Sequence, residues 1–343
     1  MIGLIKKQVS RCGAHLREAW RVVDVILHLG AHRTATTSFQ TYLERERGAL
    51  AAQRVAVWTP ERTRSGMFAG LIGRPEDNSP THVLRAARSS GLIRIETQRL
   101  ENQGFEALVV SEENMIGAAR DNLRSSALYP NVLERLDRFR TSFSDRCTRI
   151  GIAVRDYESY WSSALAFAVA RGHRFPNLHD LEQLVHQPRR WRHVITDAAR
   201  AFPRAEVVVW SFDGFAARPN VAFSALTGRS APRSAEIWCN KSPTLDRLRR
   251  VLDDAGQDAR PLPKGNGRWK PFSDRQSYHF RSQYEADLDW LRSGADGAAT
   301  FYEHAPEAQR NYPFNKTQTE VCGALAANRL AASVTGGRLY GKH

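Results

Sequence analysis

The chain has 343 residues, 42% hydrophobic and 25% charged, which excludes a disordered acidic tail, a collagen-like repeat and a bundle of membrane-spanning helices. That length holds one elaborated α/β domain with a real core. The formal charge of +14 rests on 43 Arg against seven Lys spread along the whole sequence, so it favours an anionic partner without marking a nucleic-acid-binding block.

Residues 1–19 read as an N-terminal extension, too polar for a signal peptide. Near-continuous apolar runs bounded by polar or Gly residues predict strands at 22–29, 55–58, 107–111, 150–154 and 206–211, each buried on both faces and therefore parallel. Helical spacing predicts helices at 36–47, 131–143, 157–171 and 179–202, the last broken at Pro188. This alternation predicts a three-layer α/β/α fold over residues 20–295, with a central parallel sheet of about five strands. The stretch 59–106 is long for a connection and carries several Gly and Pro, so it reads as a lid or acceptor-binding insertion with a helix near 82–88. Farther on, helices at 242–255 and 273–291 flank a Pro/Gly-rich loop at 261–271, and 296–343 reads as a partly irregular tail.

The chemistry concentrates at His28-Leu29-Gly30-Ala31-His32-Arg33-Thr34-Ala35-Thr36-Thr37-Ser38, between the first strand and the first helix. A strand, a loop and a helix N-terminus aim unpaired amides and the positive end of the helix dipole at one point. Gly30 allows the tight exit, Arg33 adds a permanent forked cation, and Thr34, Thr36, Thr37 and Ser38 add hydroxyls. Each element favours phosphate or sulfate. A nucleotide triphosphatase loop G-x-x-x-x-G-K-[ST] needs Lys where Thr36 stands and Gly at Ala35, which argues against ordinary ATP or GTP hydrolysis.

This loop resembles that of the sulfotransferases that use 3′-phosphoadenosine 5′-phosphosulfate, especially a bacterial branch reading H-x-G-x-H-K-T-G-T-T-S; here Arg33 replaces Lys and Ala35 replaces Gly. The resemblance implies a P-loop-like fold and assigns the donor's 5′-phosphosulfate to Arg33, Thr34, Ala35, Thr36, Thr37 and Ser38. It extends to Arg155 and Ser163, at the fourth strand's end and in the helix after it, which the family uses to grip the 3′-phosphate. Eight residues apart, the two lie near one helix face. At the third strand's end, Glu112 is the first choice, with Glu113 next, for the base that takes the acceptor's proton, and Arg33 is counted among the catalytic groups. Pro263-Lys264-Gly265-Asn266-Gly267-Arg268-Trp269-Lys270 resembles a shortened form of the cytosolic enzymes' 3′-phosphate loop, which implicates Lys264 and Gly265.

The expected reaction is therefore sulfuryl transfer to a hydroxyl or amine acceptor, a saccharide among the candidates. The alternatives are a nucleotide-dependent kinase or triphosphatase and a non-catalytic nucleotide- or nucleic-acid-binding protein. Cys12, Cys147, Cys239 and Cys322 are too scattered for a disulfide framework or zinc site, His28 and His32 flank a loop rather than share a face, and no metal is expected. Arg189-Arg190-Trp191-Arg192-His193 reads as a solvated face, not a specific nucleic-acid site. Trp58 reads as core. With no secretory or transmembrane segment apparent, the sequons at Asn240 and Asn315 carry no weight, and the cytoplasm is the expected compartment.

Overall fold

A computed structural model of the chain describes residues 22–305, apart from 74 and 76–78. The expected N-terminal extension and residues 306–343 of the expected tail lie outside the described residues.

Six strands, all parallel, form one sheet in the order β2-β3-β1-β4-β5-β6: β1 (Asp24–Gly30), β2 (Val55–Trp58), β3 (Ala107–Ser111), β4 (Cys147–Val154), β5 (Glu206–Ser211) and β6 (Thr300–Tyr302). The sequence anticipates the first five. The sixth lies in the segment expected to be irregular; its three residues Thr-Phe-Tyr are too few to carry a periodic signal and are held as an edge strand by β5.

Alternation along the strands splits the core in two, as a sheet buried on both faces requires. Val25, Leu27 and Leu29 of β1 pack into one cluster with Tyr157, Tyr160, Trp161, Trp191 and Phe280. Ile26 points the other way, into a cluster with Phe39, Tyr42, Phe223 and Leu226. The helices that cover the faces are α1 (Thr36–Arg45), α2 (Pro80–Asn102), α3 (Ala119–Ser125), α4 (Val132–Ser142), α5 (Tyr157–Val169), α6 (Leu178–Val185), α7 (Trp191–Ala201), α8 (Pro219–Thr227), α9 (Leu245–Asp254) and α10 (Asp274–Arg292). The expected break at Pro188 falls between α6 and α7. In the 59–106 insertion the helix is far longer than the expected single turn or two, because Ser79 caps it, Pro80 starts it, and Ser89, Ile93 and Thr97 bury one narrow face. Trp58 is core, 6.2 Å from Phe143.

The chain leaves β1 for the β2 edge, returns to β3, then crosses to β4 on the other side of β1. The connections after β1, β3 and β4 thus diverge around one crevice at the strands' carboxyl ends, where open α/β sheets bind ligands. Among the described residues no helix is long and apolar enough to cross a membrane. Cys147 is a free, buried thiol, whereas Cys239 is disulfide-bonded, which departs from the expectation that the cysteines are unlinked.

Candidate active site

Beyond Gly30 the backbone turns through two left-handed non-glycine residues, Arg33 (φ 65°) and Ala35 (φ 64°), before α1 begins at Thr36. A side chain at Gly30, itself at φ 75°, would strike the Thr36 hydroxyl at 2.5 Å. The hydroxyl row does not present itself whole. Thr34 and Thr36 both donate to the Ala31 carbonyl (2.7 and 2.8 Å), and Thr34 also accepts from the Ala31 amide, so these two hold the loop's shape. Thr37 accepts from the Asn240 side chain at 2.9 Å, and Ser38 from the Cys239 amide at 2.9 Å. The Ser38 and Phe39 amides already donate to the Ala35 carbonyl at 2.9 and 3.1 Å, which leaves the amides of Thr36 and Thr37, at the start of α1, with no carbonyl a turn earlier to meet among the described residues.

Arg33 crosses the crevice. Its Nε donates to Ser163 Oγ at 2.8 Å, its Nη2 to the Asn240 carbonyl at 3.2 Å, and its guanidinium lies 5.0 Å from the Phe167 ring centre. Arg155, at the end of β4 and 6% exposed, donates through Nη1 to the Arg33 carbonyl at 2.7 Å and covers the Phe212 ring at 4.3 Å. The Trp191 indole fixes the Arg155 backbone by donating to its carbonyl at 2.8 Å. The Arg155 Nε is buried with no hydrogen-bond partner, and so is the Ser162 hydroxyl beside it. Buried donors are rarely left so, and these two line the same small cavity.

Arg33 and Arg155 therefore share one rim. Together with Thr36, Thr37, Glu113, Lys241 and Arg268 they line a cavity of about 110 Å³, in which Glu113 is the sole carboxylate among the lining side chains. A second cavity of about 60 Å³ continues past Arg155, Ser163 and Arg268. Burial, followed by the like charge of Arg155, brings Arg33 down to about 10. Burial, followed by Arg268, brings Arg155 down to about 10 as well. Both stay cationic at neutral pH, and an anion beside them would offset the like charges of Arg33, Arg155 and Arg268.

The two adjacent glutamates part company. Glu112 is fully buried and spent on structure: it accepts from the Thr63 hydroxyl (2.6 Å), the Arg64 Nε and Nη2 (2.9 and 2.7 Å) and the Asn114 amide (3.1 Å), and it does not line the cavity. Glu113 does line it, held by Gln40 Nε2 at 2.8 Å and Arg64 Nη2 at 2.9 Å. Burial is the strongest influence on Glu113 and works against its charge, but Arg64 together with the other groups around the carboxyl, Gln40 among them, outweighs it and holds the carboxyl down to about 2. His32, also on the cavity wall, is pushed down by burial and stays neutral, which leaves Arg64 as the charge that matters. The Tyr129 hydroxyl accepts from the His32 amide (2.8 Å) and from Tyr160 (3.2 Å), so its own proton goes to His32 Nδ1 (3.0 Å), placing the ring's proton on Nε2 toward Asn114. His28 is a core residue, bonded to Ser111 Oγ at 2.7 Å and pushed by burial to about 3. Among the described residues no cluster of His, Cys, Asp and Glu is grouped as a metal ion requires.

No protein-family model matches the chain, and no curated protein matches it.

Of the residues expected from sequence, Arg33, Ala35, Thr36, Thr37, Arg155 and Glu113 line the main cavity, and Ser163 lines the adjoining one. Thr34 and Ser38 sit beneath the loop as its ties, and Glu112 lies behind it. Lys264 and Gly265 are exposed; the Gly265 carbonyl accepts from Arg249 at 3.0 Å, and neither residue lines either cavity. From that same loop it is Arg268 that lines both cavities, joined in the smaller one by Trp269 and Lys270. Sequence reasoning also missed residues 238–242, where Trp238, Lys241 and Ser242 form one wall; the triplet Asn240-Lys241-Ser242 stands out only as a sequon, and nothing local ties it to a loop two hundred residues away.

Proposed function

We propose that the chain transfers a sulfuryl group from 3′-phosphoadenosine 5′-phosphosulfate to a hydroxyl or amine acceptor. The observation that carries this reading is the pairing of half-buried Arg33 with buried Arg155 on one cavity, with unspent donors at Arg155 Nε and Ser162 and a single carboxylate, Glu113, among the described residues of its lining. Such a site suits a ligand with more than one anionic end. In this reading the amides of Thr36 and Thr37 hold the 5′-phosphosulfate, and Arg155, Ser162, Ser163 and the Arg33 side chain hold the 3′-phosphate. Arg33 is thus assigned to the junction of the two phosphate sites.

The acceptor oxygen bonds to sulfur as the bond from sulfur to the bridging phosphate oxygen breaks. The electron pair leaves with the nucleotide, and the acceptor's proton passes to Glu113. We assign Glu113 rather than Glu112 because it alone faces the cavity. Held low by Arg64, Glu113 is always in the form that accepts a proton but is a weak base, so positioning and charge stabilisation must supply much of the rate.

The test is thermal stabilisation by 3′,5′-bisphosphoadenosine, set against ATP with Mg²⁺. At a concentration about a hundred times Kd, a ligand specific to the native state adds about 2.7 kcal/mol. That is a rise of roughly 4 °C for a chain of this size. The bisphosphate is expected to stabilise the parent and to lose the effect in Arg155→Ala. Stabilisation by ATP with Mg²⁺ equal to that by the bisphosphate overturns the reading in favour of a kinase or triphosphatase.

A further inference from the structure

A second concavity, of about 490 Å³, opens between α3, α5 and α6. That size falls within the range of small-molecule sites. Its floor is apolar: Leu123 from α3, Leu165, Ala168 and Val169 from α5, and Leu184 from α6. Its mouth is basic. Arg124 and Arg174 are held there by ion pairs with Asp121 and Asp180, each at 2.6 Å, while Arg120 makes no ion pair among the described residues. The groove shares a wall with the anion cavity, for Ala119 and Phe167 line the cavity while their chain neighbours Arg120 and Ala168 line the groove.

We infer, building on the sulfuryl-transfer reading, that this groove holds the acceptor and that the acceptor is an apolar molecule carrying a carboxylate and, at its inner end, the reacting hydroxyl. The apolar floor gives a sugar ring little to bond with and favours an apolar body. The guanidinium at Arg120 has no carboxylate of its own and supplies the forked donor a carboxylate ligand needs. The reacting hydroxyl reaches past Ala119 into the cavity; there its oxygen bonds to sulfur, the bridging oxygen leaves with the bisphosphate, and Glu113 takes the proton. A weak base such as Glu113 serves an acidic hydroxyl best, and a phenol ionises near pH 10.

The probe is 7-hydroxycoumarin-3-carboxylate, titrated by fluorescence anisotropy beside neutral 7-hydroxycoumarin, with the disaccharide chitobiose as competitor. The acid is expected to bind the parent at least tenfold more tightly than its neutral partner, without competition from chitobiose. Arg120→Glu, at an exposed position, should erase that preference. Ala168→Glu, which places a charge on the floor, should weaken both coumarins about tenfold or more. Stabilisation by 3′,5′-bisphosphoadenosine should persist in both variants and serves as the check on folding; if Ala168→Glu does not fold, Arg120→Glu decides alone. Failure of the acid to bind the parent, indifference to both substitutions, or displacement by chitobiose overturns the inference. Coumarin binding without bisphosphate stabilisation of the parent would sink the sulfuryl-transfer reading and leave a groove for aromatic acids; the converse would sink the groove alone.

Discussion

Two segments of this chain are basic, contain glycine and lead toward a helix, yet they came to opposite ends. The loop 30–38 is pinned on every side: β1 delivers it, Ala31 collects the Thr34 and Thr36 hydroxyls, Arg155 holds the Arg33 carbonyl, and residues 239 and 240 close over Thr37 and Ser38. The loop 263–272 is exposed over most of its length; its carbonyls at Pro263 and Gly265 are used by Arg249, and it gives the main cavity one side chain, Arg268, with Trp269 and Lys270 lining the adjoining one. Composition does not distinguish them. What distinguishes them is that one begins at a central strand and is buried among its neighbours, where a cation costs solvation and therefore gains most from an anion.

The sharpest way to break this contrast is Arg155→Ala, which removes a buried cation with an unspent donor. Charged hydrogen bonds contribute about 1.5–3 kcal/mol each, so affinity for 3′,5′-bisphosphoadenosine should fall roughly a hundredfold by calorimetry. Glu113→Gln probes the opposite wall through pH. Because the folded carboxyl lies near 2 and its ordinary value is 4.5, Glu113 adds stability that is complete above 4.5 and is lost as pH falls toward 2. Chemical denaturation should accordingly show the parent exceeding the variant by on the order of 2–3 kcal/mol at pH 6. That difference should shrink to near zero by pH 2. Arg268→Ala removes an exposed cation, so affinity for the bisphosphate should drop about three- to tenfold, more at low salt than at high. Ala35→Gly relieves a left-handed alanine costing about 1–2 kcal/mol, partly offset by the freer unfolded chain, and should raise Tm by about 1 °C. Lys264→Ala should leave both affinity and Tm within error; a loss there comparable to that at Arg155 would erase the distinction between the two loops.

The fold was largely legible because five strands are apolar runs long enough to register, and because Pro188 and the Gly30 exit are local signals. The sixth strand was not, since three residues at a sheet edge owe their conformation to a neighbour. In the site, Arg33, Arg155 and Glu113 could be found from their places at strand ends. Sequence favoured Glu112, and what divides it from Glu113 is tertiary: Glu112 is buried against Thr63 while Glu113 lines the cavity, and Arg64, brought from the insertion, pairs with both. Likewise Trp238, Lys241 and Ser242 acquire their place only through tertiary packing over α1. The Thr34 and Thr36 hydroxyls illustrate a different limit: residue type supplied the donor, but the tight turn consumed it.

A serine pair sets how the crevice can accept a long molecule. Ser163 and Ser242 touch at 2.5 Å, and Arg33 leans on both, so the two small chambers beside Arg155 are halves of one trench with a bar across it. A guest spanning both would have to part that pair, whose Ser242 lies in the stretch before α9. Admission of a bisphosphate would thus be felt first at residues 238–243, as a change in amide exchange rate far from any strand.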